Sequence, residues 1–160
     1  MFVPTLANWI SQFERLKRSY AKVTASYQSS VEFEDDLHHY MQDCWHLKDW
    51  IKNDSSAGVG NEIEDLVNGY KSLRIAADLA NGSKHLQRHT HREQAYVTSL
   101  GVTAHLGQAK PIAIDCVVSL GDGTNVPVLT VVHDTFMAWA DLLSKLGLNT
   151  SIPAPVAHSP

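Results

Sequence analysis

The sequence predicts an α+β protein: a three-helix bundle, then a three-stranded antiparallel β-meander, then a C-terminal helix. Apolar residues recur at three- and four-residue intervals over the first half of the chain, which is typical of helices. From Gln94 onward β-branched residues dominate and the segments are short, which is typical of strands. The 160 residues, 44% hydrophobic and 19% charged, suffice for one globular domain with a buried core. We expect that domain to cover 1–148, with the bundle in 1–92 and the meander and last helix in 93–148.

Each of the three predicted helices has one apolar face at helical spacing. Their expected limits are 5–26, 31–53 and 61–80. Thr5 can cap the first helix, and a loop through Gly58 and Gly60 separates the second from the third. The first half of the chain is therefore expected to be entirely helical.

The second half is expected to hold the strands and the last helix. The expected strand limits are 95–105, 112–120 and 126–132. The turn residues Gly121 to Thr124 predict an antiparallel hairpin between the last two strands. Asp134 or Thr135 can begin the final helix and Gly147 can end it. The tail 149–160, which holds three Pro and two Ser, is expected to be disordered.

Charge and cysteine usage limit the class of protein. A formal net charge of −4 argues against a broadly basic nucleic-acid-coating protein, although it leaves room for a small local RNA site. Cys44 and Cys116 have no zinc-binding spacing and predict a reducing compartment. No segment approaches the ~20 apolar residues of a membrane span, and the N-terminus lacks a signal-peptide pattern. We therefore expect a cytoplasmic protein with no membrane partner.

Common catalytic and cofactor motifs are missing from the sequence. It contains no GxSxG, GxxxxGK[ST] or GxGxxG segment. The segment HLQRHTH offers His85, His89 and His91 to a metal, but no carboxylate at ligand spacing completes the set. Arg88 and Arg92 crowd it with positive charge, so a small basic patch for phosphates is an alternative. We expect no metal and no cofactor.

The third helix carries polar residues where apolar ones are expected. If that helix is continuous, Arg74, Asp78, Asn81 and His85 lie within roughly 60° of one another, on its apolar side. Polar groups buried there need partners. Either an Arg74–Asp78 ion pair holds the end of the helix, or these side chains line a cleft.

The second helix has a polar stripe opposite its apolar face. The residues of this stripe fall within roughly 80° of one another and are His39, Gln42, His46, Asp49 and Asn53. A solvated face is the plain interpretation. Trp50 projects from the same side and suggests a second contact surface, such as a dimer partner or a cleft wall.

Two segments resemble known proteins. The segments CWHLKDWIKND (44–54) and ADLANGSKHL (77–86) resemble small bacterial and phage proteins and, more distantly, the HEPN superfamily of helical bundles. The resemblance covers roughly the first 90 residues. Nuclease members of that superfamily are typically dimers that cut RNA without a metal, using an Arg, a following polar residue and a His. Asn81 matches the polar position and His85 the histidine, whereas Ala80 stands where the arginine belongs.

The resemblance implies roles for several side chains if the chain cleaves RNA by attack of a ribose 2′-OH on the neighbouring phosphate. His85 would act as general base or acid, and Asn81 would orient it. Lys84 or Arg74 would stabilise the charge of the phosphorane, and Asp78 would hold that cation.

The partner acid in that scheme would be His46, on the second helix. Because Ala80 replaces the arginine, the sequence favours a non-catalytic or degenerate module that binds RNA, a protein or a second copy of itself. The alternative is a metal-independent endoribonuclease of the toxin or defence kind that uses His85.

Overall fold

The computed structural model describes residues 8–27, 32–82, 93–103 and 113–148. Its elements are α1 (Trp9–Ser26), α2 (Phe33–Asn53), a 3-10 turn (Ser55–Ala57), α3 (Glu62–Asn68), α4 (Lys71–Gly82), β1 (Tyr96–Thr103), β2 (Ala113–Ser119), β3 (Asn125–Pro127) and α5 (Val128–Lys145). The predicted α+β class is confirmed: helices come first, followed by an antiparallel meander and a last helix. The tail 149–160 lies outside the described residues.

The sheet is an antiparallel meander with strand order β1-β2-β3. The predicted hairpin is confirmed, since β2 pairs with β3 across the turn at 121–124. Cys116, Val118 and Leu120 alternate along the chain and are all buried. One face of the sheet therefore packs on the helices.

Helix α2 is joined to α5 by buried hydrogen bonds as well as by apolar packing. The indole N–H of Trp139 donates to the carbonyl oxygen of Cys44 at 2.9 Å. The hydroxyl of Tyr40 donates to the carbonyl oxygen of Val132 at 2.8 Å and lies 2.8 Å from the hydroxyl of Thr135. These contacts satisfy polar groups that would otherwise be costly to bury, so they fix how the two helices dock.

The ends of the first and last helices follow capping rules. Helix α1 begins at Trp9, and the side chain of Asn8 accepts the backbone N–H of Ser11 as its N-cap. The predicted cap, Thr5, lies outside the described residues. Helix α5 ends just before Gly147, as predicted, and that glycine has a φ of 69°.

The third predicted helix is two helices, which corrects the assumption of a continuous 61–80 segment. Helix α3 ends at Asn68, and α4 begins at Lys71. Gly69 is a poor helix former, and the carbonyl oxygen of Asn68 accepts a hydrogen bond from Nη1 of Arg74 at 2.6 Å instead of continuing the helical ladder. The prediction that the polar residues of α4 continue the apolar face of α3 is therefore wrong, because it assumed an unbroken helix.

The strand predicted over 126–132 is present only at its start, as β3, and is wrong from 128 onward. The chain leaves the sheet after Pro127, and α5 begins at Val128, ahead of the predicted start at Asp134 or Thr135. Four β-branched residues of α5 are buried at three- and four-residue spacing, as on one face of a helix; they are Val128, Val131, Val132 and Thr135. Burial on one helical face thus outweighs the β propensity of these side chains.

A buried carboxylate joins α1 to α2. Asp36 is 3% exposed, and its Oδ1 lies 3.0 Å from Nζ of the exposed Lys22. Burial would raise the pKa of Asp36, but the hydrogen bond from Lys22 acts in the opposite direction, and the pKa lies below its ordinary value. The ionised form of Asp36 therefore stabilises the folded state.

We expect Tyr40→Phe to lower the free energy of unfolding by about 1–2 kcal/mol, because it removes a fully buried hydrogen bond. Urea denaturation measures the loss. Tyr96→Phe is the matched control, since Tyr96 is 47% exposed, and its effect should stay within about 0.5 kcal/mol. Equal losses in both variants would contradict the buried link between α2 and α5.

The pH dependence of stability tests Asp36. Because its pKa is lower in the folded than in the unfolded state, its contribution is complete above about pH 4 and is lost as the pH falls through the folded-state pKa. As the pH is lowered from about 6 to about 2.5, the free energy of unfolding should therefore fall more for wild type than for Asp36→Asn. Asp35→Asn, at the exposed neighbouring position, should retain the wild-type slope. If the free energy of unfolding depended on pH equally in wild type and Asp36→Asn, the stabilising role of the ionised Asp36 would be contradicted.

Candidate functional site

Arg74 and Asp78 lie one turn apart on α4, where the sequence placed them, and both are engaged with the chain that enters β1. Nε of Arg74 lies 2.6 Å from Oε1 of Glu93, and its Nη1 donates to the carbonyl oxygen of Asn68 at 2.6 Å. The side chains of Arg74 and Glu93 are 29% and 19% exposed, so this ion pair is largely shielded from water. The cation is thus neutralised by a carboxylate that the sequence analysis did not identify.

Asp78 is 4% exposed and is held by backbone donors. Its Oδ2 accepts the N–H of Glu93 at 2.8 Å and the N–H of Ala95 at 3.2 Å. Between these donors Gln94 has a φ of 52°, a left-handed conformation that side-chain-bearing residues rarely adopt. The backbone therefore turns so that two N–H groups converge on one oxygen, an arrangement that suits an anion.

We call this set the α4–β1 anchor: Arg74, Asp78, Glu93 and Ala95. It extends to the β2–β3 turn, because the N–H of Gly121 donates to the carbonyl oxygen of Glu93 at 2.9 Å. A side chain at position 121 would collide with the neighbouring Gln94, because a Cβ there would overlap the Oε1 of that side chain. The segment 93–95 is thus held between α4 and the hairpin turn.

Of the other predicted site residues, Asn81 and His46 lie within the described part of the chain, and they stand apart from the anchor. Asn81 is exposed near the end of α4, and His46 is partly exposed on α2. No hydrogen bond or ion pair recorded among the described residues joins His46 to Asn81 or to the anchor. Lys84 and His85 lie in the segment 83–92, outside the described residues.

Trp50, which the sequence analysis offered as part of a second contact surface, is partly buried and packs against the core. This packing accounts for an aromatic side chain beside the polar stripe of α2. His39, from the same stripe, is exposed, as the solvated-face interpretation expects.

Glu93 is the residue of the anchor that sequence reasoning missed. It lies in a non-helical segment just before β1, and no periodic pattern connects it to α4. The sequence offered two hints: Glu93 is a charged residue shortly before an apolar strand, and Arg74 is a cation on an apolar helix face that needs a partner. These hints are weak, because pairing across many residues depends on tertiary packing.

A groove of about 170 Å³ lies between α2, α4 and β1, and we call it the α2–β1 groove. One face of α2 supplies four of its lining residues and the other two elements supply one each: Glu34, Leu37, His38, Met41, Leu79 and Val97. The α2 residues follow the helical spacing that puts side chains on one face. Leu37 and Met41 are buried at its base, whereas Glu34 is exposed and His38 partly exposed at its rim.

The two cysteines are buried and free. Burial, together with the negative charge of Glu34, raises the pKa of the Cys116 thiol to about 11. Burial likewise raises the pKa of Cys44 to about 12. Both thiols are therefore protonated at neutral pH, which makes them poor nucleophiles.

Neither metal ligation nor external similarity assigns an activity. Within the described part of the chain, no group of three or more His, Cys, Asp or Glu side chains could hold a metal ion, and His85, His89 and His91 lie outside that part. Among the helices described, none has the length and apolar character that crossing a membrane requires. Comparison of the chain with protein-family models, curated proteins and solved structures finds no match.

We expect Asp78→Ala to lower the free energy of unfolding by about 2–3 kcal/mol, because it leaves the N–H groups of Glu93 and Ala95 without their acceptor. Chemical denaturation followed by circular dichroism measures this loss. Asn81→Ala, at an exposed position of the same helix, should change stability by less than about 0.5 kcal/mol. If the two variants were equally stable, the anchor would not support the fold.

Proposed function

We propose that the chain is a non-catalytic, HEPN-like module that binds a protein partner. The observation that carries the proposal is the α4–β1 anchor, in which Arg74 and Asp78 hold the entry to β1. Stabilising a phosphorane requires a cation aimed at the reacting phosphate. Arg74 is directed at Glu93 and at a backbone carbonyl, and Asp78 is buried under backbone N–H groups. These two residues therefore serve the fold.

The environment of Ala80 supports the same proposal. Ala80 stands at the position of the superfamily arginine and is 2% exposed within the hydrophobic core. A guanidinium at that place on α4 would be buried without water, which is costly for a charge that lacks partners. The side of α4 that would carry the motif arginine is thus an apolar packing surface in this chain.

The distribution of charge supports a protein partner over RNA. Phosphate binding depends on cations that are free to replace counterions. Several lysines of the described residues are instead paired with carboxylates, among them Lys17 with Glu14 at 2.5 Å and Lys48 with Glu64 at 3.1 Å. The formal net charge of −4 adds a general repulsion of nucleic acid.

An RNA cleavage assay in EDTA tests the proposal. The substrate is pooled single-stranded RNA, and the readout is the appearance of 2′,3′-cyclic phosphate ends. We expect wild type to produce no more of these ends than His85→Ala, because Arg74, one of the two cations that the resemblance implies, and the carboxylate of Asp78 are committed to the anchor.

The matched control for that assay is His39→Ala, which removes an exposed histidine of α2. Cleavage that His85→Ala abolishes and His39→Ala leaves intact would contradict the proposal. The chain would then be a metal-independent endoribonuclease, and its cation would have to come from outside the anchor.

A further inference from the structure

We propose that the α2–β1 groove receives one large apolar side chain from a partner segment that carries Lys or Arg beside it. This inference rests on the proposed function, since it names the class of partner that such a module would bind. Its support comes from three properties of the groove: its volume, the apolar character of its base and walls, and the negative charge at its rim.

The volume suits a single anchoring side chain. The groove measures about 170 Å³. An engineered apolar cavity of roughly 150 Å³ is large enough to bind benzene. One aromatic or branched aliphatic side chain therefore fits, and side chains of that size supply most of the binding energy at many protein interfaces.

The surfaces that such a side chain would contact are apolar. Leu37 and Met41 form the base of the groove, and Leu79 and Val97 form its walls. Val97 is 39% exposed, although it is a large apolar side chain on a strand. A partner side chain would cover this exposed surface and gain the free energy of its burial.

The charge at the rim selects the neighbouring residues of the partner. Glu34 lines the groove, and Asp35 beside it is exposed. Glu32, at the N-cap of α2, adds another exposed carboxylate. Lys22, a cation near the start of α2, is ion-paired with Asp36. Among the described residues the rim is therefore negative at Glu34, and a Lys or Arg next to the apolar side chain would complement it.

The negative charge at the rim disfavours two other occupants of the groove, RNA and a second copy of the chain. RNA would bring phosphates to the carboxylate of Glu34 at the rim and to the exposed Asp35 beside it in sequence. A second copy docked by two-fold symmetry would place this acidic surface against itself. A basic, apolar segment of another protein avoids both repulsions.

Short peptides test the inference by nuclear magnetic resonance of the ¹⁵N-labelled full chain. The probe is acetylated, amidated Gly-Lys-Phe-Lys-Gly. We expect it to shift the backbone amide signals of Leu37, Met41, Leu79 and Val97. Gly-Lys-Ala-Lys-Gly lacks the anchor and Gly-Glu-Phe-Glu-Gly reverses the charge. Each should bind at least about tenfold more weakly.

Three variants test where and how the peptide binds. Val97→Trp fills the groove from its exposed wall and should weaken binding of Gly-Lys-Phe-Lys-Gly at least about tenfold. Tyr96→Trp is the matched control, because the neighbouring residue of the strand points to the opposite face and should leave binding unchanged. Glu34→Gln should reduce the preference for lysine over glutamate flanks, with retained amide signals reporting that the variant is folded.

Three outcomes would overturn the inference. The first is that none of the peptides shifts the groove amides, which would leave the proposed function standing if RNA is not cleaved. The second is that single-stranded RNA shifts these amides and the peptides do not. The third is that the amides shift with protein concentration alone, which would assign the groove to a second copy. Failure of the proposed function would be recognised by a different result, namely RNA cleavage that depends on His85.

Discussion

The buried carboxylate of Asp78 is the constraint on which the rest of the structure depends. A carboxylate with 4% exposure needs hydrogen-bond donors, and the backbone N–H groups of Glu93 and Ala95 supply them. This requirement places the start of β1 against α4 and turns Gln94 into a left-handed conformation. Because Val97 follows two residues after Ala95, the same contacts position the β1 wall of the α2–β1 groove. The helical and strand halves of the chain are thereby joined.

The anchor also changes how the resemblance to nucleases is interpreted. Arg74 and Asp78 have the residue types that RNA cleavage uses, but here each makes its contacts to the segment that leads into the sheet. Charge stabilisation requires donors preorganised toward the reacting phosphate, whereas the guanidinium of Arg74 is directed at Glu93 and at a backbone carbonyl. The anchor thus supports a non-catalytic module, and the groove that we propose as its binding site is provided mostly by the first half of α2.

Much of the fold follows from local patterns. The three predicted helical regions, the hairpin at Gly121 to Thr124 and the helix end at Gly147 depend on residues close in sequence, and each is present in the structure. Two local expectations were wrong. The 126–132 segment is rich in β-branched residues, yet α5 begins within it at Val128, since its buried face packs on the helices. The break at Gly69 combines the weak helix propensity of glycine with the hydrogen bond from Arg74 to the carbonyl oxygen of Asn68, and local propensity does not contain that hydrogen bond.

The sequence by itself determined the α+β class, the order of helices and strands, and the polar character of α4, because each depends on periodicity or composition within a short window. It also presented Arg74 and Asp78 as residues that need partners. Only the tertiary structure decided which partners they have, because Glu93 and Ala95 are distant in sequence and meet α4 through chain packing. The α2–β1 groove was likewise decided by packing, since its walls come from elements whose proximity no local pattern reports.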